Sequence, residues 1–542
     1  MTRPDWELRE TAPELRARYL AGGHWTDDTL TTHVLRGLSE NPGLEFRVWS
    51  HTRPARHTFA DCDRLARGFA AGLVARGVRE GDVVAFQMPN CFEASITFYG
   101  AAMLGVVLVP IVHFYGPKEV SHILRESGAK AFLSFDRFGS RDFVADYERA
   151  SEGADDLELV AFAGGDGPAG TLRFDDLIVE GADFTPVLPD PDAPAVVGYT
   201  SGTTADPKGV IHTHRTLNGE MIHMTRMGAL GRRPALVGAP VGHAIGMQGG
   251  LLAPVLRGMP VYLIDVWDPG MVLDALLDVD CSAGSGSTYF LTSLLDHPKC
   301  TPAHHAAIRQ VGMGGSAIPA AVSERAEALG IKLLRSYGST EHPSTTGSTF
   351  DDDREQRNYT DGVPMPGVAL KLVDDDGNDL GDGPGEIWTR GPDLFVGYTN
   401  PVLTKAAIDA DGWYATGDIG VRDARGAITI TDRKKDIIIR GGENISAAEV
   451  EELLQQMPGI SEVAVVAAPD ARLGEHACAF VRVIPGSPEP TLEQMRTHLT
   501  EAGLARQKFP EELRVEDEFP RTPSGKIQKF ALRDKVRHEA TG

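Results

Sequence analysis

The residues best suited to chemistry are concentrated in one run, Thr200-Ser-Gly-Thr-Thr-Ala-Asp-Pro-Lys-Gly209. Glycines let backbone N–H groups approach a phosphate, hydroxyls donate to it, and a lysine adds a point charge. That combination suits a polyphosphate. It is not a Walker A loop, because Pro207 stands where the spacing from Gly202 requires glycine, and Lys208 is followed by Gly209 rather than Ser or Thr. Read alone, the run also fits a polar surface loop. The residues before it, Ala195-Val-Val-Gly-Tyr-Thr200, read as a buried strand that would deliver it.

Four more runs follow: Tyr337-Gly-Ser-Thr-Glu341, Tyr414-Ala-Thr-Gly-Asp418, Asp432-Arg-Lys-Lys-Asp-Ile-Ile-Ile-Arg-Gly-Gly-Glu-Asn444 and Pro520-Arg-Thr-Pro-Ser-Gly-Lys526. In content and order, the five runs closely resemble the signature motifs of the adenylate-forming (AMP-binding) superfamily. That superfamily comprises acyl-CoA synthetases, nonribosomal adenylation domains and firefly luciferases. The resemblance covers essentially the whole chain. It implies a carboxylate–CoA ligase that uses ATP, Mg2+ and coenzyme A. A carboxylate attacks the α-phosphorus of ATP, giving acyl-AMP and pyrophosphate; a thiol then attacks acyl-AMP and expels AMP. The first step brings an anion onto a polyanion, so positioning and positive charge must supply most of the catalysis.

The resemblance assigns roles residue by residue. Lys526 would bridge the carboxylate and the α-phosphate. Thr200, Ser201, Gly202, Thr203, Thr204 and Lys208 would hold the outer phosphates, although Ala205 stands where the family usually has glycine. Thr340 would contact the α-phosphate, and Glu341, with Thr203, would ligate Mg2+. Tyr337, Gly338 and Ser339 would line the nucleotide site. Gly315, Ser316 and Ala317, in a glycine-rich run, would lie along the adenine. Asp418 would accept from the ribose hydroxyls with Arg433 beside it. Lys435 matches the family's hinge, about which a C-terminal lid rotates between the two half-reactions. Gly441, Gly442 and Glu443 would line the CoA tunnel.

Pro240-Val-Gly-His-Ala-Ile-Gly246 resembles the motif whose aromatic residue borders the acid pocket, which would be His243. The implied acyl pocket is His243, Met247, Thr288, Gly314, Gly315, Tyr337 and His342. Small residues are dense along these stretches, with glycines at 242, 246, 249, 250, 284 and 286. Glycines would widen a cavity, which points to an apolar, medium-sized aliphatic or alicyclic acid. A weaker resemblance to cyclohexanecarboxylate and medium-chain acyl-CoA ligases points the same way. The alternative acceptor is a carrier-protein phosphopantetheine thiol.

These residues need a scaffold. From Phe59 to Phe135, helical stripes such as Leu65, Phe69, Leu73 and Val74 alternate with apolar strand runs at 82–87 and 106–112. This predicts α/β layers on largely parallel sheets. Ser151–Pro191 is acidic and reads as a loop-rich surface insertion. Val363–Ile430 carries short β-rich pieces between Asp/Gly turns, which predicts an antiparallel, barrel-like subdomain. The last hundred residues read as a small α+β unit, with capping-box patterns at Ser446/Glu449 and Thr491/Gln494. The expectation is an α/β protein: an N-terminal body at 1–434, made of two α/β subdomains and the β-rich one, and a mobile lid at 435–542.

The 542 residues carry 53 Lys+Arg and 76 Asp+Glu, a formal charge of −23. So acidic a body repels polyanions and argues against nucleic acid as a partner. Five dispersed cysteines give no zinc or disulfide pattern. No signal peptide or membrane span is visible, so a cytoplasmic monomer or homodimer is expected.

Overall fold

The computed structural model describes residues 6–200, 207–226, 233–283, 286, 288–315, 318–440, 443–470, 472–521 and 525–541. The backbone alone is described at 226, 443, 444, 540 and 541. The phosphate-loop residues Ser201 to Thr204 and Ala205, together with Ser316, Ala317, Gly441 and Gly442, lie outside the described residues.

The largest element is an eight-stranded sheet. Its strands, in spatial order, are Gly397–Tyr398, Lys208–Thr213, Pro194–Thr200, Val107–Ile111, Val83–Gln87, Ala131–Phe135, Leu159–Ala163 and Leu172–Arg173. The six strands from Pro194–Thr200 onward pair in parallel, and the first two add an antiparallel edge. All five residues of Val83–Gln87, Val107–Ile111 and Ala131–Phe135 are buried, as expected for parallel strands covered on both faces. Helix Phe92–Leu104 is buried nearly all round, which its apolar circumference dictates, and stops at Gly105 with φ +70°. Beside it, Phe59–Ala75 starts from a reciprocal Thr58/Asp61 capping box and buries Phe69 and Leu73 as the stripe predicts.

One expectation fails here. Ser151–Pro191 is not a surface insertion, because Leu159–Ala163 within it is a nearly fully buried strand of the large sheet. Five apolar residues suffice for a strand, and their acidic flanks masked them.

Two further four-stranded sheets complete the α/β body: one contains Val261–Ile264 and Glu45–Trp49, the other Gln310–Gly314 and Lys332–Tyr337. The β-rich region forms an antiparallel sheet of Ala369–Val373, Gly385–Arg390, Tyr414–Arg422 and Ile428–Arg433, paired stepwise in chain order. Its last strand ends at Arg433, and a new sheet begins at Ile438–Arg440. That sheet is built on the long hairpin Ile460–Asp470/Gly474–Val483, with its own core of Val450, Leu454, Val465, Ala479 and Leu499. Thr491 and Gln494 form the full capping box. Ser446 caps its helix by accepting from the Glu449 N–H, while the Glu449 carboxylate pairs with Lys508.

Candidate active site

The antiparallel edge of the large sheet forms the first wall. Thr200 and Lys208 are register partners where strands Pro194–Thr200 and Lys208–Thr213 meet, so both face the start and end of the glycine/hydroxyl loop. The Lys208 ammonium lies 5.7 Å from the Tyr398 ring centroid. On the same strand, buried His212 donates from Nε2 to the Thr340 carbonyl at 2.7 Å. Two contacts hold Glu341: its carbonyl accepts from Phe395 N–H at 2.8 Å, and its Oε1 accepts the Tyr398 hydroxyl at 2.8 Å. The Thr340–Glu341 loop is therefore tied to two strands of the sheet that carries the phosphate loop.

Tyr337 ends strand Lys332–Tyr337, and its hydroxyl donates to Asp418 Oδ2 at 2.7 Å. Asp418 Oδ1 pairs with Arg433 Nε, also at 2.7 Å. Asp418 is buried, and its two partners compensate the charge. Burial and the adjacent carboxylate push the Tyr337 hydroxyl well above its ordinary pKa, so it remains a donor. A carboxylate held in this way can accept from a ribose diol.

Lys526 enters from the other side. The backbone pair Gln528 N–H to Pro520 C=O, at 2.7 Å, closes its loop, and the Lys529–Glu451 ion pair, at 2.7 Å, anchors the following turn. A Cβ built on Gly315 would meet Lys526 Cε at 3.6 Å, Nζ at 3.8 Å and Ile245 Cδ1 at 3.8 Å. The lysine thus reaches the glycine turn after strand Gln310–Gly314. Burial, and then Arg433, push its pKa down to about 8, opposed by Asp418 and Glu341. Burial and Lys526 push His243 down to about 4, so at neutral pH its ring is uncharged. It caps a short helix, its Nδ1 accepting from Ile245 N–H.

These residues border one cleft of about 2800 Å3. That is several times a drug-sized pocket and suits a site shared by three substrates. Of the expected residues whose side chains are described, Thr200, Lys208, His243, Thr288, Gly314, Gly315, Tyr337, Gly338, Ser339, Thr340, Glu341, Asp418, Arg433, Lys435 and Lys526 line it. Two do not. Met247 is 2% exposed and packs in the core beside Leu251. His342 is 1% exposed and turns from the cleft to contact Thr389 and Asp393. Both are therefore removed from the acyl pocket. Glu443 lies in strand Glu443–Ile445, paired with Arg440, but its side chain is outside the description.

The glycines at 242 and 246 do not widen the cleft. A Cβ at Gly242 would lie 2.4 Å from the Ile111 carbonyl oxygen, and one at Gly246 would lie 2.1 Å from that of Pro240. These glycines permit close backbone packing rather than opening space. Gly249 has nothing within 4 Å and does face open volume. Gly284 lies outside the described residues.

Sequence reasoning did not identify Tyr398, His212 or Asp393. Each acts on the site through a tertiary contact from a strand or turn distant in sequence, and no local pattern signals that.

A family model described as AMP-binding enzyme matches residues 37–399, and one described as AMP-binding enzyme C-terminal domain matches 449–526. The chain belongs to the AMP-binding enzyme family. This family member is 35% identical over 531 residues to a medium-chain fatty-acid–CoA ligase of Escherichia coli (strain K12), covering 97% of this chain and 94% of that protein. It is 33% identical over 503 residues to the 3-[(3aS,4S,7aS)-7a-methyl-1,5-dioxo-octahydro-1H-inden-4-yl]propanoyl:CoA ligase of Rhodococcus jostii (strain RHA1), covering 88% and 94%. Its fold matches the crystal structure of ATP-bound MatB from Rhodopseudomonas palustris with a TM-score of 0.83 at 27% identity, over 94% of this chain and 99% of that one. The large N-terminal body and small C-terminal unit follow that architecture. No helix among the described residues of this AMP-binding enzyme is long and apolar enough to cross a membrane.

Proposed function

We propose that this enzyme converts an apolar, medium-sized aliphatic or alicyclic carboxylic acid into its CoA thioester through acyl-AMP. It is an AMP-forming acid–thiol ligase with ATP, Mg2+ and coenzyme A as cofactors. The observation that carries the assignment of roles is the convergence of Lys526, Gly315 and His243 beside the Tyr337–Asp418–Arg433 cluster.

In this reading Asp418 and Arg433 hold the ribose, Tyr337 lies along the adenine, and Thr200 and Lys208 flank the phosphates. Glu341, whose carboxylate Tyr398 orients, suits the oxygen-ligand preference of Mg2+, with Thr203 as its expected companion. The metal supplies charge neutralisation on the phosphates. Lys526 brings an ammonium to the point where the attacking carboxylate meets the α-phosphate. The acid lies between His243 and Gly315, where Ile245 and Gly249 make an apolar wall. Among relatives, the Escherichia coli protein is named for medium-chain fatty acids and the Rhodococcus protein for a bicyclic propanoate, which supports an apolar body on the acid.

Residues 435–542 act as the lid and Lys435 as its hinge, in the interval where one sheet ends and the next begins. A panel of straight-chain, alicyclic and aromatic acids, assayed for CoA-dependent AMP release, tests the substrate. Highest kcat/KM on a charged or amino acid would reject the apolar pocket. Acyl transfer to a phosphopantetheinylated carrier, with none to CoA, would reject the acceptor.

A further inference from the structure

Next to the Thr340–Glu341 loop lies a buried polar cluster, of which Glu220 also borders the cleft. Glu220 and His223 stand one turn apart on helix His214–Arg226, facing Asp393. They are 3%, 0% and 0% exposed, and one ligand-capable atom from each lies within 4.8 Å of the others. Asp393 Oδ2 accepts from the Ser344 backbone N–H at 2.9 Å, and Oδ1 lies 3.2 Å from His342 Nε2. The other nitrogen of His342 meets the Thr389 hydroxyl at 2.8 Å. One carboxylate thus grips the loop just after Glu341 at two points. Two residues after Asp393, Phe395 N–H donates to the Glu341 carbonyl, and Tyr398 farther along reaches the Glu341 carboxylate.

On its far side Asp393 faces His223 Nδ1 at 3.3 Å. His223 Nε2 must donate to the Pro366 carbonyl, 2.8 Å away. Neither His223 Nδ1 nor Glu220 Oε2 is matched by a hydrogen-bond partner of good geometry. A protonated Glu220 and a doubly protonated His223 would both donate toward Asp393, leaving one negative charge and one positive charge in the cluster. Burial and Asp393 push Glu220 up to about 8, and Asp393 and Glu220 raise His223 against its burial.

We propose that Asp393 is a positioning residue for adenylation: it fixes the loop carrying Thr340 and Glu341, and protonated Glu220 and His223 hold its carboxylate from behind. Asp393 touches no reacting atom. The inference rests on Glu341 as the Mg2+ ligand proposed above.

The test is acid-dependent ATP–pyrophosphate exchange by the full-length enzyme, measured against free Mg2+. Asp393→Asn should raise half-saturating Mg2+ at least fivefold and lower kcat about tenfold. Glu220→Gln, whose amide can still donate to Asp393, should stay within about twofold of the parent, whereas Glu220→Leu should shift the Mg2+ requirement as Asp393→Asn does. Leu133→Ala, in the core of the large sheet, serves as a stability control that loses melting temperature and keeps its Mg2+ requirement. If Asp393→Asn does not fold, the Glu220 pair carries the test.

An unchanged Mg2+ requirement in Asp393→Asn or Glu220→Leu, while Glu341→Gln shifts it, overturns the inference and leaves the Mg2+ assignment standing. No shift in Glu341→Gln removes the assignment, and the inference falls with it. A stoichiometric metal in the purified enzyme, retained through dialysis against EDTA and lost in Glu220→Gln, would mean that a cation rather than protons binds these groups, and would also overturn the inference.

Discussion

Asp418 and Arg433 are direct cross-strand partners, and their side chains close an ion pair at 2.7 Å while Tyr337 takes the other carboxylate oxygen. The carboxylate is therefore held at both oxygens by groups of the protein itself. Replacing Asp418 with Asn keeps the shape but removes the charge that strengthens both bonds. A charge-assisted hydrogen bond contributes about 1.5–3 kcal/mol, equivalent to roughly 10–100-fold in affinity. Asp418→Asn should raise the KM for ATP by about that range in ATP–pyrophosphate exchange. An unaltered KM would remove Asp418 from the ribose site.

Lys526 carries the most specific prediction. Lys526→Ala should slow acyl-AMP formation by about 100–1000-fold, the scale of losing one preorganised electrostatic contact. Thioester formation from supplied acyl-AMP should change less than about threefold. Single-turnover assays of each half-reaction measure this, and equal losses in both would reject the role.

Burial also gives Lys526 a pH signature. With its pKa lowered to about 8, the ammonium is lost as pH rises through 8, so adenylation kcat/KM should fall on that limb. Stability moves the opposite way. At pH 7 the lysine is charged whether folded or unfolded, and the burial penalty is felt in full. Between about 8 and the unfolded value of 10.5 the unfolded chain binds more protons, so stability rises with pH and the penalty is relieved. Lys526→Met should therefore raise the melting temperature at pH 7, and the gain should shrink by pH 9.5. A gain that does not depend on pH would contradict the buried ammonium.

Gly315 holds φ at +79°, and a Cβ there would come within 3.6 Å of the Lys526 side chain. Gly315→Ala asks alanine to adopt a left-handed backbone, at a cost of about 1–2 kcal/mol. Adenylation should fall about tenfold through displacement of the turn that Lys526 reaches, and a crystal structure of the variant should show that shift. Full activity would mean that the turn tolerates a side chain beside the lysine.

Much of this was legible in the chain. The motifs named many of the residues that line the cleft, because side chains that would contact phosphate and ribose recur in particular types at fixed spacings. The buried strands of the large sheet were readable from unbroken apolar runs, apart from Leu159–Ala163, where acidic neighbours hid a run of five. The acyl pocket was poorly legible. Met247 and His342 sit next to cleft residues in sequence, but a one-residue step along a helix or turn points a side chain in a different direction. Gly242 and Gly246 proved to be packing glycines, since composition does not distinguish a glycine that opens space from one that lets two backbones meet.

Lys435 lies between Arg433, the last residue of one sheet, and Ile438, the first of the next, in a turn where Asp436 N–H and Ile437 N–H both bond to the Arg433 carbonyl. Burial, and then Arg433, push its pKa down to about 8. If this turn is the hinge, its backbone must adopt a second set of dihedrals for the thiol step. Proline fixes φ near −65° and removes an N–H, so it blocks that freedom. Lys435→Pro should leave ATP–pyrophosphate exchange within about threefold of the parent and lower CoA-dependent AMP release at least tenfold. Lys435→Ala, which loses the charge but keeps a mobile backbone, should retain most of the CoA-dependent rate. Equal behaviour of the two variants would place the pivot elsewhere in the chain and leave Lys435 as a charge beside Arg433.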